Sequence, residues 1–319
     1  SISSVSAQNI DVNTTNNINP LNEVLIDETI ATSNELTNKS SIISNDLEKY
    51  YKDDKGFCAT FYNENGTPLT NKNITFSVNG VSYIKTTDNN GTAKLNINLE
   101  SGNYTIISYN PTTNETITNN ITVLSSINGN DLTKYFKNAT QYSVTLYDKT
   151  GKALVNKTVR FNINGIFYER KTNEKGVAQL NINLDSGNYI VTVYNLITGE
   201  EKSNNINVVS RIQLLDLNNA SNVILPEGYV IPVMFIGNGK AYAQCRATTL
   251  DEKGNPLANQ LVTFNINGII YKGTTDKFGI IDAIIYVNAD WGNTYHICTA
   301  TFGESFASQT VIVKRFVMG

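Results

Sequence analysis

Histidine is nearly absent from this chain of 319 residues, and its scarcity narrows the chemistry available. His296 is the single copy, and no second histidine, cysteine or carboxylate set completes a metal-ligand pattern around it. A Ser-His-Asp triad would need this one imidazole and an arbitrary serine. His296 therefore reads as a strand residue matching Ile190. No catalytic residue, metal or cofactor is assigned, and the chain is not read as an enzyme. Three cysteines are too few to staple a secreted scaffold. Lys and Arg number 25 against 28 Asp and Glu, interspersed along the chain, so the basic face of a nucleic-acid binder is missing. No stretch approaches the ~18 consecutive apolar residues of a membrane span.

What the chain has is a sentence written three times. Residues 76–104 read FSVNGVSYIKTTDNNGTAKLNINLESGNY, and residues 161–189 read FNINGIFYERKTNEKGVAQLNINLDSGNY. From Phe264 a third version runs FNINGIIYKGTTDKFGIIDAIIYVNADWGNTY. The first two align without a gap at an offset of 85, and the match starts upstream, where Asn45–Lys52 pairs with Asn130–Lys137. A unit of roughly 80 residues is too long for a solenoid repeat and suits a small domain. Tyr142, Val144 and Leu146 alternate with polar residues, as do Val159, Phe161 and Ile163, then Ala178, Leu180, Ile182 and Leu184. Period two means strands with one buried face. Asn79-Gly80, Asn164-Gly165 and Asn267-Gly268 are type I′ hairpin dipeptides. Asp148–Gly151 and Asn173–Gly176 suit a type I turn closed by a left-handed glycine. The expected fold is all-β, with three tandem Ig-like antiparallel sandwiches behind an extended N-terminal segment.

The stretch DLTKYFKNATQYSVTLYDKTGKALVNKTVRFNINGIFYERKTNEKGVAQLNINLDSGNYIVTVYN resembles the Ig-like repeats of adhesin-like surface proteins from methanogenic archaea, distant relatives of invasin-type bacterial domains. The resemblance implies a secreted cell-surface β-sandwich array without catalytic residues. It divides the chain into a leading segment 1–44, repeats at 45–126 and 127–212, a connector or edge strand at 213–239, and a divergent repeat at 240–319. The first residues, SISSVSAQ, read as the end of a secretory leader with Val5-Ser6-Ala7 as its cleavage triplet.

The leading segment is Asn-, Ser- and Thr-rich but holds Val24, Leu25, Ile26 and Ile30. It reads either as a donor strand that pairs with a neighbouring subunit's sheet edge, building a filament head to tail, or as a tail folded on its own unit. Self-association and a host-cell or microbial surface ligand are the expected partners. Cys245 aligns with Tyr142 and Cys298 with Thr192; a two-residue insertion would bring Cys298 into phase for a disulfide between the sheets. Cys58 aligns with Ser143 on the opposite face and stays unpaired. Glycosylation sequons begin at Asn13, Asn38, Asn65, Asn73, Asn90, Asn114, Asn120, Asn138, Asn156 and Asn219. Asp or Asn before glycine in many loops reads as turn chemistry and not as calcium ligation. Asp290, Trp291 and Tyr295 are either a lectin-like ligand cluster or a turn beside a core tryptophan.

Overall fold

A computed structural model describes residues 39–215, 225–230, 240–291 and 294–315. The donor-strand residues, Asn13, Asn38 and Asn219 lie outside these residues. The first unit contains β1 (Ile42–Ser44), β2 (Leu47–Tyr50), β3 (Gly56–Phe61), β4 (Asn73–Val78), β5 (Val81–Thr86), β6 (Thr92–Asn96), β7 (Gly102–Tyr109) and β8 (Thr116–Leu124). The second repeats it as β9 (Ile127–Gly129), β10 (Leu132–Tyr135), β11 (Tyr142–Leu146), β12 (Thr158–Ile163), β13 (Ile166–Lys171), β14 (Val177–Leu180), β15 (Gly187–Asn195) and β16 (Glu200–Val209). Each unit stacks a three-stranded sheet, β1-β3-β6 or β9-β11-β14, on a five-stranded one, β2-β8-β7-β4-β5 or β10-β16-β15-β12-β13.

The third unit holds β17 (Ile212–Leu214), β18 (Ala241–Thr249), β19 (Leu261–Ile266), β20 (Ile269–Thr274), β21 (Ile280–Val287), β22 (Tyr295–Phe302) and β23 (Ser305–Arg315). Strands β1, β9 and β17 pair with β3, β11 and β18 in turn and open the three units at the same 85-residue spacing. Ile42–Ser44, expected in the leading segment, and Ile212–Leu214, expected at the edge of the connector, are therefore sandwich strands.

Within each unit the alternation converts directly into burial. Phe57 meets Phe76 edge to face at 5.6 Å, and Tyr142 meets Phe161 the same way at 6.1 Å. The three cores are separate clusters, each drawn from its own unit. The asparagine and glycine of each Asn-Gly hairpin take positive φ, for example 53° at Asn164 and 79° at Gly165, as a type I′ turn requires. Asp148 Oδ1 accepts from the amides of Thr150 and Lys152 at 2.8 and 3.0 Å, so its loop uses that oxygen internally.

The short strands β2 and β10 run parallel to β8 and β16. An aspartate fastens each crossover. Asp46 accepts from the Asn120 amide at 2.9 Å and from the Asn119 and Asn120 side chains at 3.1 Å. Asp131 accepts from the Asn205 amide at 2.8 Å and from the Asn204 and Asn205 side chains at 3.2 and 3.1 Å. These bonds, the backbone one foremost, hold both carboxyls below the usual carboxylate range. A folded-state value below the unfolded one gives stability that is present above about pH 4 and lost as pH falls through the folded value. Asp46→Asn and Asp131→Asn should each lower the melting temperature at neutral pH and flatten its fall below about pH 4. Melting followed by circular dichroism across that range checks this; an unchanged acid limb in both variants would remove the clamp from the account.

The third unit departs at this crossover. Its first core strand, β18, is longer at its start than β3 or β11, and Ala241–Ala243 pair with Arg315–Val313 of β23. In the second unit the matching end of β16 pairs instead with β10. The two sheets of the third unit are thus joined through β18 and β23.

Candidate functional site

Where one sandwich meets the next, the same contact occurs twice. Tyr50, the last residue of β2, lies against Gly151 in the Asp148–Gly151 turn of the second unit, and its ring is 5.8 Å from that of Tyr147. Tyr135, the last residue of β10, lies in the same way against Gly254 in the Asp251–Gly254 turn of the third. A Cβ on either glycine would fall within the tyrosine ring, and both glycines take φ near +88°, where side chains are disfavoured. Polar contacts flank each joint. Lys149 Nζ is 2.5 Å from Asp54 at the first, and at the second Lys137 Nζ is 2.6 Å from Glu304 while Asn138 Nδ2 donates to Glu252 O at 2.7 Å.

The receiving pole is built on a buried polar frame. In the second unit Glu200 Oε2 accepts from Ser126 N and Oγ at 2.5 and 2.6 Å, and Asn195 Nδ2 donates to Ser126 Oγ at 3.0 Å and to Tyr147 O at 2.9 Å. Ser41, Asn110, Glu115 and Tyr62 repeat these bonds in the first unit. Tyr50→Ala should leave the three cores intact, with stability changed by less than about 1 kcal/mol, yet widen the spread of angles between the first two units. Spin labels on the two units, read by pulsed dipolar spectroscopy, report this as a broader distance distribution than in the unaltered chain. An unchanged distribution would mean the tyrosine does not stiffen the joint.

The cysteines meet. Cys298 pairs with Ile266 as Val191 pairs with Ile163, so it stands at the Val191 position and not at that of Thr192. Longer sequence between β21 and β22, including a 3₁₀ turn at Ala289–Trp291, sets this inward register. Its sulfur is 3.1 Å from that of Cys245, both residues are fully buried, and both are free thiols. The contact with Cys298 and burial push the Cys245 thiol well above its ordinary range. Cys58 is exposed, as expected.

His296 takes the position of Tyr189, not Ile190, by the same register. Its ring stacks on Trp291 at 4.8 Å. Nδ1 is 2.8 Å from Asn267 Nδ2, and Nε2 is 2.7 Å from Thr294 Oγ1, which itself donates to Trp291 O at 2.5 Å. Trp291 is partly buried and packs on the core. Tyr295, 72% exposed, is next in sequence to His296 and so on the other face of β22. No hydrogen bond or ring contact draws Tyr295 into the Trp291–His296 pair.

A buried ion pair was not foreseen from sequence. Arg246 Nε lies 2.5 Å from Asp282 Oδ1, with side chains only 3% and 2% exposed. Tyr229, in the connector, donates to Asp282 Oδ2 and packs on Phe278 with ring centroids 5.7 Å apart. Burial and the bond to Asp282 raise the Tyr229 phenol above its usual value. Of the sequons, Asn120 commits its side-chain nitrogen to Asp46 at 3.1 Å and Asn138 commits its own to Glu252 O at 2.7 Å, so a glycan at either would intrude on a working contact. Asn65, Asn73, Asn90, Asn114 and Asn156 are exposed.

No family model and no curated protein matches the chain. Solved structures do. A Ca2+-stabilised adhesin with which an Antarctic bacterium reaches out and binds ice is similar at 13% identity, covering 88% of this chain and 74% of that one, with a TM-score of 0.21. A tetra-tandem repeat from the extending region of a large adhesion protein is 13% identical over 85% of this chain and 74% of its own, at a TM-score of 0.21. The FN1–FN3 domains of chicken CNTN1 are 11% identical over 86% and 98%, at 0.23. Similarity at this level assigns neither ligand nor activity to this chain.

Proposed function

We propose that the chain is an extracellular structural and adhesive surface protein, a short stiff array of Ig-like sandwiches, and not an enzyme. The observation that carries this reading is the doubled joint, a tyrosine set on a glycine turn at both boundaries. Relative motion is the ordinary expectation for linked domains, and a repeated side-chain lock opposes it. Such a lock serves a protein that holds something at a distance. The resemblance of its repeats to archaeal adhesin-like proteins fits the same role and a secreted origin.

The finer reading is a filament subunit, with Val24, Leu25, Ile26 and Ile30 adding as a strand to the next subunit. Among the described residues, strands β5, β13 and β20 each pair with one neighbour and end their sheets, which supports strand addition at those edges. The test is to remove residues 1–40, sparing β1, and image both proteins by negative stain. The unaltered chain is expected to give long polymers and the shortened one separate particles; polymers from the shortened chain would sink the mechanism. A second reading, a binding module using the loops of the third unit, is favoured by the fixed Trp291–His296 pair beside Asn267.

A further inference from the structure

The first sandwich carries the receiving half of the inter-unit joint, and among the described residues nothing fills it. Gly66 closes the Asn63–Gly66 turn as Gly151 and Gly254 close theirs, with φ of +73°, yet a Cβ added to it would meet nothing within 4 Å where on the other two it would meet a tyrosine ring. The frame beneath is complete, since Ser41, Asn110, Glu115 and Tyr62 make the bonds that Ser126, Asn195, Glu200 and Tyr147 make under the filled socket. We propose that this pole is a docking surface for the tyrosine-bearing pole of a further Ig-like sandwich on a separate polypeptide.

The chain does not supply the occupant itself. Tyr50 and Tyr135 are already seated on Gly151 and Gly254. Residues 1–40 contain no aromatic side chain. In the third unit the end of β23 pairs with β18, where β16 pairs with the tyrosine-bearing strand β10. A second copy therefore offers no free tyrosine in this position among its described residues.

Charge specifies the partner further. The residue after the first of the turn is Lys149 in the second unit, where it meets Asp54, and Glu252 in the third. The first unit has Glu64 there, like the third. The pole that meets the Asp251–Gly254 turn, where Asn138 donates to the Glu252 backbone oxygen and Lys137 pairs with Glu304, carries Tyr135, Lys137, Asn138 and Ala139, with no acidic residue at the position of Asp54 to face the Glu252 carboxylate. The fitting occupant resembles that pole: a tyrosine, a lysine two residues on, then neutral side chains. A pole with the Asp53-Asp54 pair would set like charges together. Asn65 begins a sequon beside the socket, and a glycan there would cover it.

The test uses the full unglycosylated chain with ¹⁵N-labelled glycine and, as unlabelled probe, residues 126–210, which enclose one complete core and all eight strands of the second unit. The Gly66 resonance should shift on titration while Gly165, at a hairpin of another unit, stays in place. Tyr135→Ala in the probe should weaken the response by about ten-fold. A probe of residues 41–125 should bind less well than residues 126–210, and Glu64→Lys in the full chain should reverse that order. If the isolated probe does not give the dispersed spectrum of a folded sandwich, residues 126–210 are joined directly ahead of Ser41 in place of residues 1–40, and Gly66 should shift relative to the unaltered chain. No Gly66 response in either format, or one indifferent to Tyr135→Ala, overturns the proposal. Neither result depends on whether the N-terminal segment donates a strand.

Discussion

Oxidising the Cys245–Cys298 pair should stabilise the third sandwich by about 4 kcal/mol, while the first two remain unaffected. The two residues are 53 apart in sequence, and closing a loop of that length removes this much conformational freedom from the unfolded chain. For a domain of this size the shift is on the order of 15 °C or more in melting temperature. The sulfurs already touch at 3.1 Å between strands held by the sandwich, so little rearrangement opposes the bond. Complete burial of both residues, with the Cys245 thiol pushed up by its contact with Cys298, keeps outside thiols and oxidants from the sulfurs and makes exchange slow in either direction while the unit is folded. Scanning calorimetry of the air-oxidised and reduced protein, with Cys245→Ala as the control that cannot respond, checks the size of the effect. A third transition that is the same in both redox states would show that the pair does not bridge.

Asp282→Ala should cost the third sandwich about 3–5 kcal/mol, because it leaves the Arg246 guanidinium buried with no counter-charge. Among the described residues Arg246 Nη2 is buried without a hydrogen-bond partner, and the Tyr229 ring, 5.6 Å from the guanidinium carbon, supplies no negative charge in place of Asp282. The double change Arg246→Met with Asp282→Leu removes both charges and should recover most of the loss, since a buried pair replaced by apolar groups is often neutral. Tyr229→Phe should cost less, about 1.5–3 kcal/mol for a bond to a charged group, and should release the connector from the sheet. Thermal melts of the single and double variants separate the cases, and a double variant as unstable as Asp282→Ala alone would contradict the uncompensated-charge account. Positions matching Arg246 and Asp282 in the second unit are Ser143 and Gln179, paired by the same register on an open face. The ion pair is therefore particular to the third unit, where Tyr229 lies against it.

Much of the fold was legible because its signals are local. Period-two alternation places Tyr142, Val144 and Leu146 in the core, and each is at most 1% exposed. The Asn-Gly dipeptides fix their own hairpins, since two consecutive positive φ values are available to few other pairs. The sites were less legible. Thr192 was the counterpart expected for Cys298, and only the paired register of β19 with β22 brings it to the Val191 position facing Cys245. Nothing local marks Asp46 and Asp131 as clamps, because the asparagines they hold are more than 70 positions away.

The repeat itself, the three hairpins and the inward faces of the strands were settled by sequence, because each depends on neighbours one to four residues apart. The tyrosine-on-glycine joints, the parallel crossover strands, the cysteine contact and the Arg246–Asp282 pair were settled only by tertiary structure. Each joins residues distant in sequence, and the free energy that selects it arises when two sheets or two units have already come together.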